Sequence, residues 1–356
     1  MDKTEKLLAD LTNAHGVSGF EDDVNKVVVE HLEAADEITY DKLGSIIARK
    51  TGAADSPKIM IAGHIDEIGF IVREISDDGY VKFIPLGGWW GHVALAQRVI
   101  IKTTKGDILG VIGSKPPHIL KDDERKKVLD LDDMYIDIGV TEGIDVKALG
   151  IRPGDPVVPD ATFTTMHNPK MYLNKAFDNR IGIAAAVEVI NKLKGVKHPN
   201  TVFGVGTVQE EVGLRGAATA AWAVDPDIAF IADVSLAMDG PDAKKHDTAR
   251  LGSGPSINVL DGTMIAHRKL RDFVIDTAEA EGIPYHLGAL AKGGTDGGRI
   301  HISRTGVPSL YVGIATRYIH SHTSIMNRDD FDNLVKLLLA VIKKLDKETV
   351  KKLTER

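Results

Sequence analysis

The chain contains no cysteine, and this absence excludes several kinds of chemistry at once. Disulfide bonds, thiolate nucleophiles and cysteine-based zinc fingers are all impossible. Any metal ion would have to be held by histidine, aspartate or glutamate side chains. Aromatic residues are also scarce, at 5% of the sequence, and this disfavours a carbohydrate site built from aromatic platforms.

Concentrated positive charge and long apolar runs are absent as well. The 51 acidic residues outnumber the 44 basic ones, giving a formal net charge of -7. Without a basic block that could follow a phosphate backbone, nucleic acid is not an expected partner. No apolar run approaches the ~20 residues that span a bilayer, and the charged residues 1–6 lack the apolar core of a signal peptide. We therefore predict a cytoplasmic protein without a membrane partner.

The apolar patterns predict an α/β protein with an additional, mostly β domain. Segments with helical spacing alternate with continuous apolar strands. The helical segments are 4–14, 24–32, 181–193, 217–223, 269–281 and 331–345, and the strands include 58–63, 201–206, 228–232 and 309–314. Such alternation favours a mixed sheet covered by helices on both faces.

A different pattern lies between residues 68 and 162. The apolar stretches there are short and β-branched, and turns are frequent. The α/β alternation is present on both sides of this region. We therefore predict a discontinuous main domain, 1–67 and 163–356, with a small β domain inserted at 68–162.

Two adjacent carboxylates, Glu210 and Glu211, follow the predicted strand 201–206. Neighbouring side chains on an extended backbone point to opposite sides, so the two cannot easily share one role. One could hold a metal ion while the other moves a proton.

Polar side chains also follow the other predicted strands. His64 and Asp66 follow one strand, Asp233 a second and His320 a third, while Asp178 lies just before a predicted helix. Because ligands bind outside the carboxyl ends of strands in open α/β sheets, we expect these side chains to converge. A set of imidazole nitrogens and carboxylate oxygens suits zinc, cobalt or manganese better than calcium or magnesium.

Each residue taken alone also has a structural interpretation. A single histidine is more often a hydrogen-bonded structural residue, Asp178 could be a helix N-cap, and Asp233 could close a turn. A carboxylate after a fully apolar strand, however, must be paired or bound. His320 and His322 offer two imidazoles to one position, and spacing alone does not choose between them.

Six short motifs, in this order along the chain, resemble those of one family, the M42 metallo-aminopeptidases, which include glutamyl aminopeptidases and tetrahedral TET peptidases. The motifs are GHIDEIG at 63–69, NKAFDNR at 174–180, QEEVG at 209–213, ADV at 232–234, GGTD at 293–296 and RYIHS at 317–321. The resemblance implies a zinc-peptidase-like catalytic domain, peptide substrates, and an inserted domain that mediates dimerisation.

The resemblance further implies a metal ligand set. Asp178 would bridge two divalent metal ions, zinc or cobalt. His64 and Asp233 would complete one metal site, and Glu211 with His320 would complete the other.

Two more carboxylates would act beside these ligands. Glu210 matches the general base of the family, and Asp66 matches the carboxylate that orients His64. The family places its ligand directly after the Arg-Tyr-X stretch, which favours His320 over His322. Family members form dimers that assemble further, commonly into a dodecamer, so the resemblance implies a homo-oligomer.

Two other functions stay open at this level. Some relatives carry an endoglucanase label, but glycosidases generally use two carboxylates without a metal ion, whereas the carboxylates here accompany histidines. A non-catalytic assembly protein on the same scaffold would be expected to lack the base or a ligand, and this chain retains all of them. The preferred N-terminal residue of the substrate has no signature in the sequence.

Overall fold

The computed structural model describes residues 1–141, 145–241, 243–244 and 249–355. The strands in this part of the chain are β1 Glu37–Tyr40, β2 Ile46–Thr51, β3 Lys58–His64, β4 Gly69–Ile75, β5 Tyr80–Leu86, β6 Arg98–Thr103, β7 Gly106–Gly113, β8 Tyr135–Asp137, β9 Pro156–Pro159, β10 Thr164–Thr165, β11 Met171–Asn174, β12 Thr201–Thr207, β13 Ile228–Leu236, β14 Ser256–Asn258, β15 His286–Gly288, β16 Ser309–Thr316 and β17 Ser324–Asn327. The α-helices are α1 Lys3–Asn13, α2 Asp22–His31, α3 Gly91–Ala94, α4 Asp122–Arg125, α5 Phe177–Lys192, α6 Arg215–Val224, α7 Arg268–Ala280, α8 Gly297–Ile300, α9 Arg328–Lys344 and α10 Lys347–Thr354. Short 3-10 helices occupy Pro117–Ile119, Leu131–Asp133 and Val146–Leu149.

An eight-stranded mixed sheet forms the centre of the larger part of the molecule. Its strand order is β1-β2-β12-β3-β13-β16-β14-β15. The four middle strands, β12, β3, β13 and β16, run parallel, while β2 and β14 are antiparallel to their inner neighbours. The predicted mixed α/β class is confirmed.

Helices cover this sheet on both faces because its strands are apolar on both sides. Ile59 and Ile61 of β3 pack into the core with α1, α2, α5, α7 and α9. The alternate residues Met60 and Ala62 pack on the opposite face with α6 and α8. All four are fully buried, and burying an isoleucine or methionine side chain contributes about 1.5–3 kcal/mol. A strand buried on both faces accounts for the continuous apolar run.

A closed β-barrel forms a second, smaller domain. Its strand order is β4-β5-β8-β7-β6-β9, and it lies in the chain between β3 and α5. Its core is apolar, including Phe70, Phe83 and Ile136. The barrel starts five residues after His64, at Gly69, so the chain enters it directly from the end of a central strand.

A small antiparallel sheet, β10-β11-β17, joins two segments distant in sequence. Asn174 of β11 pairs with Ser324 of β17. This pairing brings the start of α5 next to the loop that connects β16 and β17.

Helix α5 approaches the sheet through glycine. A Cβ atom on Gly63 would lie 2.4 Å from the carbonyl carbon of Gly182, and one on Gly182 would lie 2.1 Å from the carbonyl oxygen of Ala232. Neither distance is possible for a real side chain. The close contact places the beginning of α5 beside the carboxyl ends of β3 and β13.

Among the described residues, none of the helices combines the length and the hydropathy of a bilayer-spanning segment.

Candidate metal centre

The predicted site residues lie where the central strands end. His64 is the last residue of β3, and it pairs in register with Thr207, the last residue of β12. Glu210 and Glu211 follow β12 by three and four residues, so they come from the same edge of the sheet.

The remaining ligand candidates approach this edge from neighbouring elements. Asp233 lies within β13, which is parallel to β3, and His320 lies in the loop after β16. Asp178 is the second residue of α5, where its backbone has non-helical angles of φ -82° and ψ 102°. The structure therefore brings together side chains from four strands, or the loops that follow them, and from one helix start.

Asp178 lies between two imidazole rings. Its Oδ1 is 3.1 Å from Nε2 of His64, and its Oδ2 is 3.3 Å from Nε2 of His320. Nδ1 of His64 lies 3.0 Å from the carbonyl oxygen of Asp66, and Nδ1 of His320 lies 2.8 Å from that of Gly88. Because a carbonyl oxygen only accepts, each Nδ1 carries its hydrogen, and Nε2 faces the carboxylate. Nε2 donates to Asp178 when the ring is protonated, and in the neutral ring it would offer its lone pair to a metal ion.

The potential ligand atoms form two overlapping groups. In one, His64, Asp178 and Glu211 each offer an atom, and all three atoms lie within 4.8 Å of one another. In the other, the same holds for His64, Glu210 and Asp233. His320 belongs to neither group, although its Nε2 is 3.5 Å from Oε1 of Glu211.

This grouping differs in detail from the ligand set that the resemblance implies. Glu210 lies among the potential ligands, although it was predicted to be a base, and Asp233 is grouped with Glu210 rather than with Asp178. The convergence of the predicted residues is observed, and their individual roles are proposals.

The buried carboxyl groups of the site resist ionisation. Burial, with Asp178 nearby, raises the pKa of Glu211 to about 8. Burial and neighbouring acidic groups also raise the pKa of Glu210 and of Asp233 well above the ordinary values. Carboxyl groups this close together cannot all be ionised unless positive charge is added.

The pKa of each of the two imidazoles is also raised, which favours their charged form. Burial disfavours protonation of His320, but the hydrogen bond to Asp178 and the charge of Glu211 raise its pKa to about 10. Burial likewise opposes protonation of His64, and Glu210 and Asp178 raise its pKa well above the ordinary value. Asp178, hydrogen-bonded by both rings, has a lowered pKa despite its burial. The site therefore attracts cations strongly.

Asp66 connects the two strand ends. Its Oδ1 accepts a hydrogen bond of 2.9 Å from the backbone N–H of Glu210, and its Oδ2 accepts one of 3.1 Å from that of Glu211. Oδ1 also lies 3.5 Å from Nδ1 of His64. One buried carboxylate therefore fixes the backbone of both glutamates and contacts a histidine.

A cavity of about 670 Å³ opens over these residues. Apolar side chains, among them Leu236, Met238, Leu290 and Ile319, line it together with the potential ligands. The cavity is large enough for part of a peptide.

A family model described as M42 glutamyl aminopeptidase matches residues 44–337. The chain belongs to the M42 aminopeptidase family. The match spans both the central sheet and the barrel. As an M42 aminopeptidase, the chain is a hydrolase that acts on peptide bonds.

Individual relatives agree with this assignment over almost their full length. The glutamyl aminopeptidase of Lactococcus lactis subsp. cremoris is 34% identical over 98% of this chain and 98% of its own length. A TET aminopeptidase from a marine sediment archaeon, Thaumarchaeota archaeon SCGC AB-539-E09, has a TM-score of 0.96 at 46% identity, covering 99% of this chain and 100% of its own. The Pyrococcus horikoshii TET1 peptidase, which can assemble into a tetrahedron or a large octahedral shell, has a TM-score of 0.84 at 30% identity, covering 96% and 100%.

Three residues of this M42 aminopeptidase lie beside the site although sequence reasoning gave them no role. They are Ser18, Thr207 and Asp296. Ser18 donates a hydrogen bond of 2.6 Å from Oγ to Oδ2 of Asp66. Asp296 of the GGTD motif is buried and accepts a hydrogen bond from Thr207. Only the motif at 293–296 was a signal in the sequence, and it did not specify a contact.

His322 has a different environment from His320. It is buried and donates from Nε2 to the carbonyl oxygen of Arg98, at 3.0 Å. Burial lowers its pKa to about 4, which keeps the ring neutral. Of the two histidines in the HSH segment, the structure places His320 at the ligand cluster and His322 against the barrel.

Proposed function

We propose that this M42 aminopeptidase releases the N-terminal residue of peptides with the help of two divalent metal ions, zinc or cobalt, and with Glu210 as general base. The observation that carries the proposal is the position of Asp178. Each of its oxygens faces Nε2 of a different imidazole, at 3.1 and 3.3 Å. This is the arrangement expected of a carboxylate that bridges two cations.

The donor atoms fit two such ions. Oε1 of Glu211 is buried and accepts no hydrogen bond from any residue that the structure describes. His64 and Asp233, with Asp178, would hold one ion, and Glu211 and His320, with Asp178, would hold the other. Imidazole nitrogen combined with carboxylate oxygen favours zinc or cobalt. Burial, with neighbouring carboxylates, raises the pKa of Glu211 and of Asp233, and bound cations would supply the positive charge that their ionised forms need.

Bound there, the ions would polarise the scissile carbonyl and lower the pKa of the attacking water. Glu210 lines the same cavity, with Oε2 3.8 Å from Nε2 of His64. Its carboxylate takes the proton of the water and delivers it to the leaving amine. Asp66 holds the backbone of Glu210 and so fixes the position of the base.

The cavity also accounts for cleavage at the N-terminus. The carboxylates of the site attract the free N-terminal ammonium group of a peptide, and the apolar wall formed by Leu236, Met238 and Leu290 contacts the first side chain. A blocked N-terminus lacks the charge that this recognition requires.

Glu210→Gln tests the role of the base. We expect the variant to keep its metal content and to lose turnover of an aminoacyl chromogenic substrate by about 10²–10⁴-fold, because the amide cannot accept the proton. Glu188→Gln is the matched control, since Glu188 is nearly buried on α5 and bonds Thr4 instead of the site. Wild-type turnover by Glu210→Gln, or loss of a metal ion from it, would remove Glu210 from this role.

A glycosidase is a weaker candidate for this site. Its two carboxylates would have to flank a glycosidic bond. Here Asp178 contacts two imidazoles, Glu211 lies beside His320, and Glu210 lies beside His64. The chemistry of the cluster therefore favours the peptidase.

We also propose a homo-oligomer in which dimers assemble further into a dodecamer. The assembly of the Pyrococcus horikoshii TET1 peptidase into a tetrahedron supports this proposal. Light scattering tests it, and a particle of 38.5 kDa, the mass of one chain, would contradict it.

A further inference from the structure

The loop that carries His320 is bonded to the barrel at two points. Nδ1 of His320 donates to the carbonyl oxygen of Gly88, which follows β5, at 2.8 Å. Nε2 of His322 donates to the carbonyl oxygen of Arg98, the first residue of β6, at 3.0 Å. Both histidines of the HSH segment are therefore held by backbone carbonyls of another domain.

The barrel segment that reaches the site, which we name the strap, consists of residues 87–89. The ring of Trp89 stacks on Phe70 of the barrel core, with 4.6 Å between centroids, and its Nε1 donates to the carbonyl oxygen of Gly69 at 2.9 Å. The same ring lies 5.4 Å from that of His322. The strap is thereby fixed to the barrel core and contacts both ends of the HSH segment.

Glycine allows the strap to lie against the potential ligands. A Cβ atom on Gly88 would be 3.1 Å from Nδ1 of His320, and one on Gly87 would be 3.0 Å from Oε2 of Glu211. The strap therefore touches Glu211 and His320, the two residues that we propose hold the same metal ion.

The other side of the site has no such contact among the residues described. Nδ1 of His64 donates to the carbonyl oxygen of Asp66, two residues further along its own chain segment, at 3.0 Å. This acceptor lies two residues after β3, so the orientation of His64 depends on the central sheet and not on the barrel.

From this asymmetry we propose that the barrel forms a structural part of one metal site. The Gly88 carbonyl and His322 are positioning groups for His320, and they set the affinity for the ion held by Glu211 and His320. The affinity for the ion on the side of His64 is set by the central sheet. The inference rests on the proposed two-metal function, because it concerns the second ion.

The physical basis is the hydrogen bond on the far side of a ligating imidazole. Such a bond fixes the tautomer and the ring plane, and its loss typically lowers metal affinity by about 10–100-fold. His320 has a positive φ angle of 57°, a strained conformation for a residue with a Cβ, which surrounding contacts must maintain. The two bonds to the barrel supply such contacts.

His322→Ala tests the proposal by titration of the metal-free protein with Co²⁺, followed by the visible absorption of the bound ion. Wild type should bind two equivalents. The variant should bind its first equivalent with wild-type affinity and its second about 10–100-fold more weakly, with an altered spectrum. His322→Gln, whose amide can still donate to the Arg98 carbonyl, should recover part of the loss.

His198→Ala is the matched control. His198 is also buried, but its Nδ1 contacts Asn200 at 3.0 Å, and it lines neither the cavity nor the strap. This variant should bind both equivalents as wild type does, even where its thermal stability is lowered. If His322→Ala does not fold, Trp89→Phe replaces it, because it removes the bond to Gly69 and keeps the ring on Phe70.

Two results would overturn the proposal. One is that His322→Ala, or Trp89→Phe in its place, binds both Co²⁺ equivalents with wild-type affinity. The other is that the affinity for both equivalents falls equally. A wild type that binds fewer than two equivalents would instead contradict the proposed two-metal function.

Discussion

Asp66 is fully buried at the carboxyl end of β3, where its two oxygens accept hydrogen bonds from three donors. The donors are the backbone N–H groups of Glu210 and Glu211 and the hydroxyl of Ser18. Although burial opposes its ionisation, the contacts with His64, Ser18 and Glu210 lower the pKa of Asp66. An ionised carboxylate at this position orients Glu211, Glu210 and His64 together.

Asp66→Asn should therefore weaken the whole site. The amide nitrogen of asparagine cannot accept a hydrogen bond, so it would face one of these donors and leave it unsatisfied. We expect metal affinity to fall by about 10–100-fold, measured by calorimetric titration of the metal-free protein. Asp41→Asn is the control, because Asp41 also accepts backbone N–H bonds but lies in an exposed turn. Unchanged affinity in Asp66→Asn would show that its charge has no part in metal binding.

The convergence of His64, Asp178 and Glu211 was predictable because each follows or precedes an apolar element in a fold whose strand ends meet at one edge. The contacts of Ser18 and Gly88 were not predictable. Ser18 bonds the side chain of Asp66, 48 residues away, and Gly88 bonds His320 through its backbone carbonyl, 232 residues away. Residue types carry no information about such distant pairs.

The element that places Asp178, the proposed bridging carboxylate, is α5. It packs on the sheet through Gly63 and Gly182, with no room for a Cβ atom at either position. Asp178 lies one turn before Gly182, so the depth of this contact sets the distance between Asp178 and the strand ends.

Gly182→Ala should push α5 away from β13. Overpacking of this kind lowers the free energy of unfolding by about 1–3 kcal/mol, and the displaced Asp178 should bind metal ions more weakly. Gly240→Ala is the control, because no described residue lies within 4 Å of the Cβ position there. Denaturant unfolding and metal titration of both variants test this. Wild-type stability of Gly182→Ala would contradict the packing argument.

Long elements were predictable and short or interrupted ones were not. The strand 201–206 and the helix 269–281 agree with β12 and α7 to within one residue. Helix α5 spans Phe177–Lys192, but the backbone angles of Asp178 and Asn179 are non-helical, so only its regular part after Asn179 agrees with the predicted helix 181–193. Strands β14, β15 and β17 have three or four residues, which is too short for a period-two pattern to be recognised.

At the scale of the whole molecule, the concentration of buried carboxylates makes the stability of the metal-free protein depend on pH. Folding raises the pKa of Glu211 from 4.5 to about 8 through burial and the nearby Asp178. The folded state therefore keeps a proton that the unfolded state releases, and stability falls as pH rises across this interval. The pKa of His320, raised from 6.5 to about 10, acts in the same direction, because its stabilising contacts are lost as pH rises through that interval.

The metal-free protein should consequently have a lower melting temperature at about pH 8 than at about pH 5. In the metal-loaded protein this difference should be smaller, because bound cations neutralise the carboxylates. The lowered pKa of Asp178 has its effect only below the ordinary value of 3.8, outside this range. Thermal unfolding of both forms tests the prediction, and a metal-free protein that is equally or more stable at the higher pH would contradict it.

The most direct test of the central claim is turnover of a peptide with a free N-terminus, measured while the metal-free protein is titrated with Zn²⁺. Two ions bridged by Asp178 predict negligible turnover without metal and a rise that ends at two equivalents per chain. Full turnover by the metal-free protein, or a plateau at one equivalent, would contradict the account.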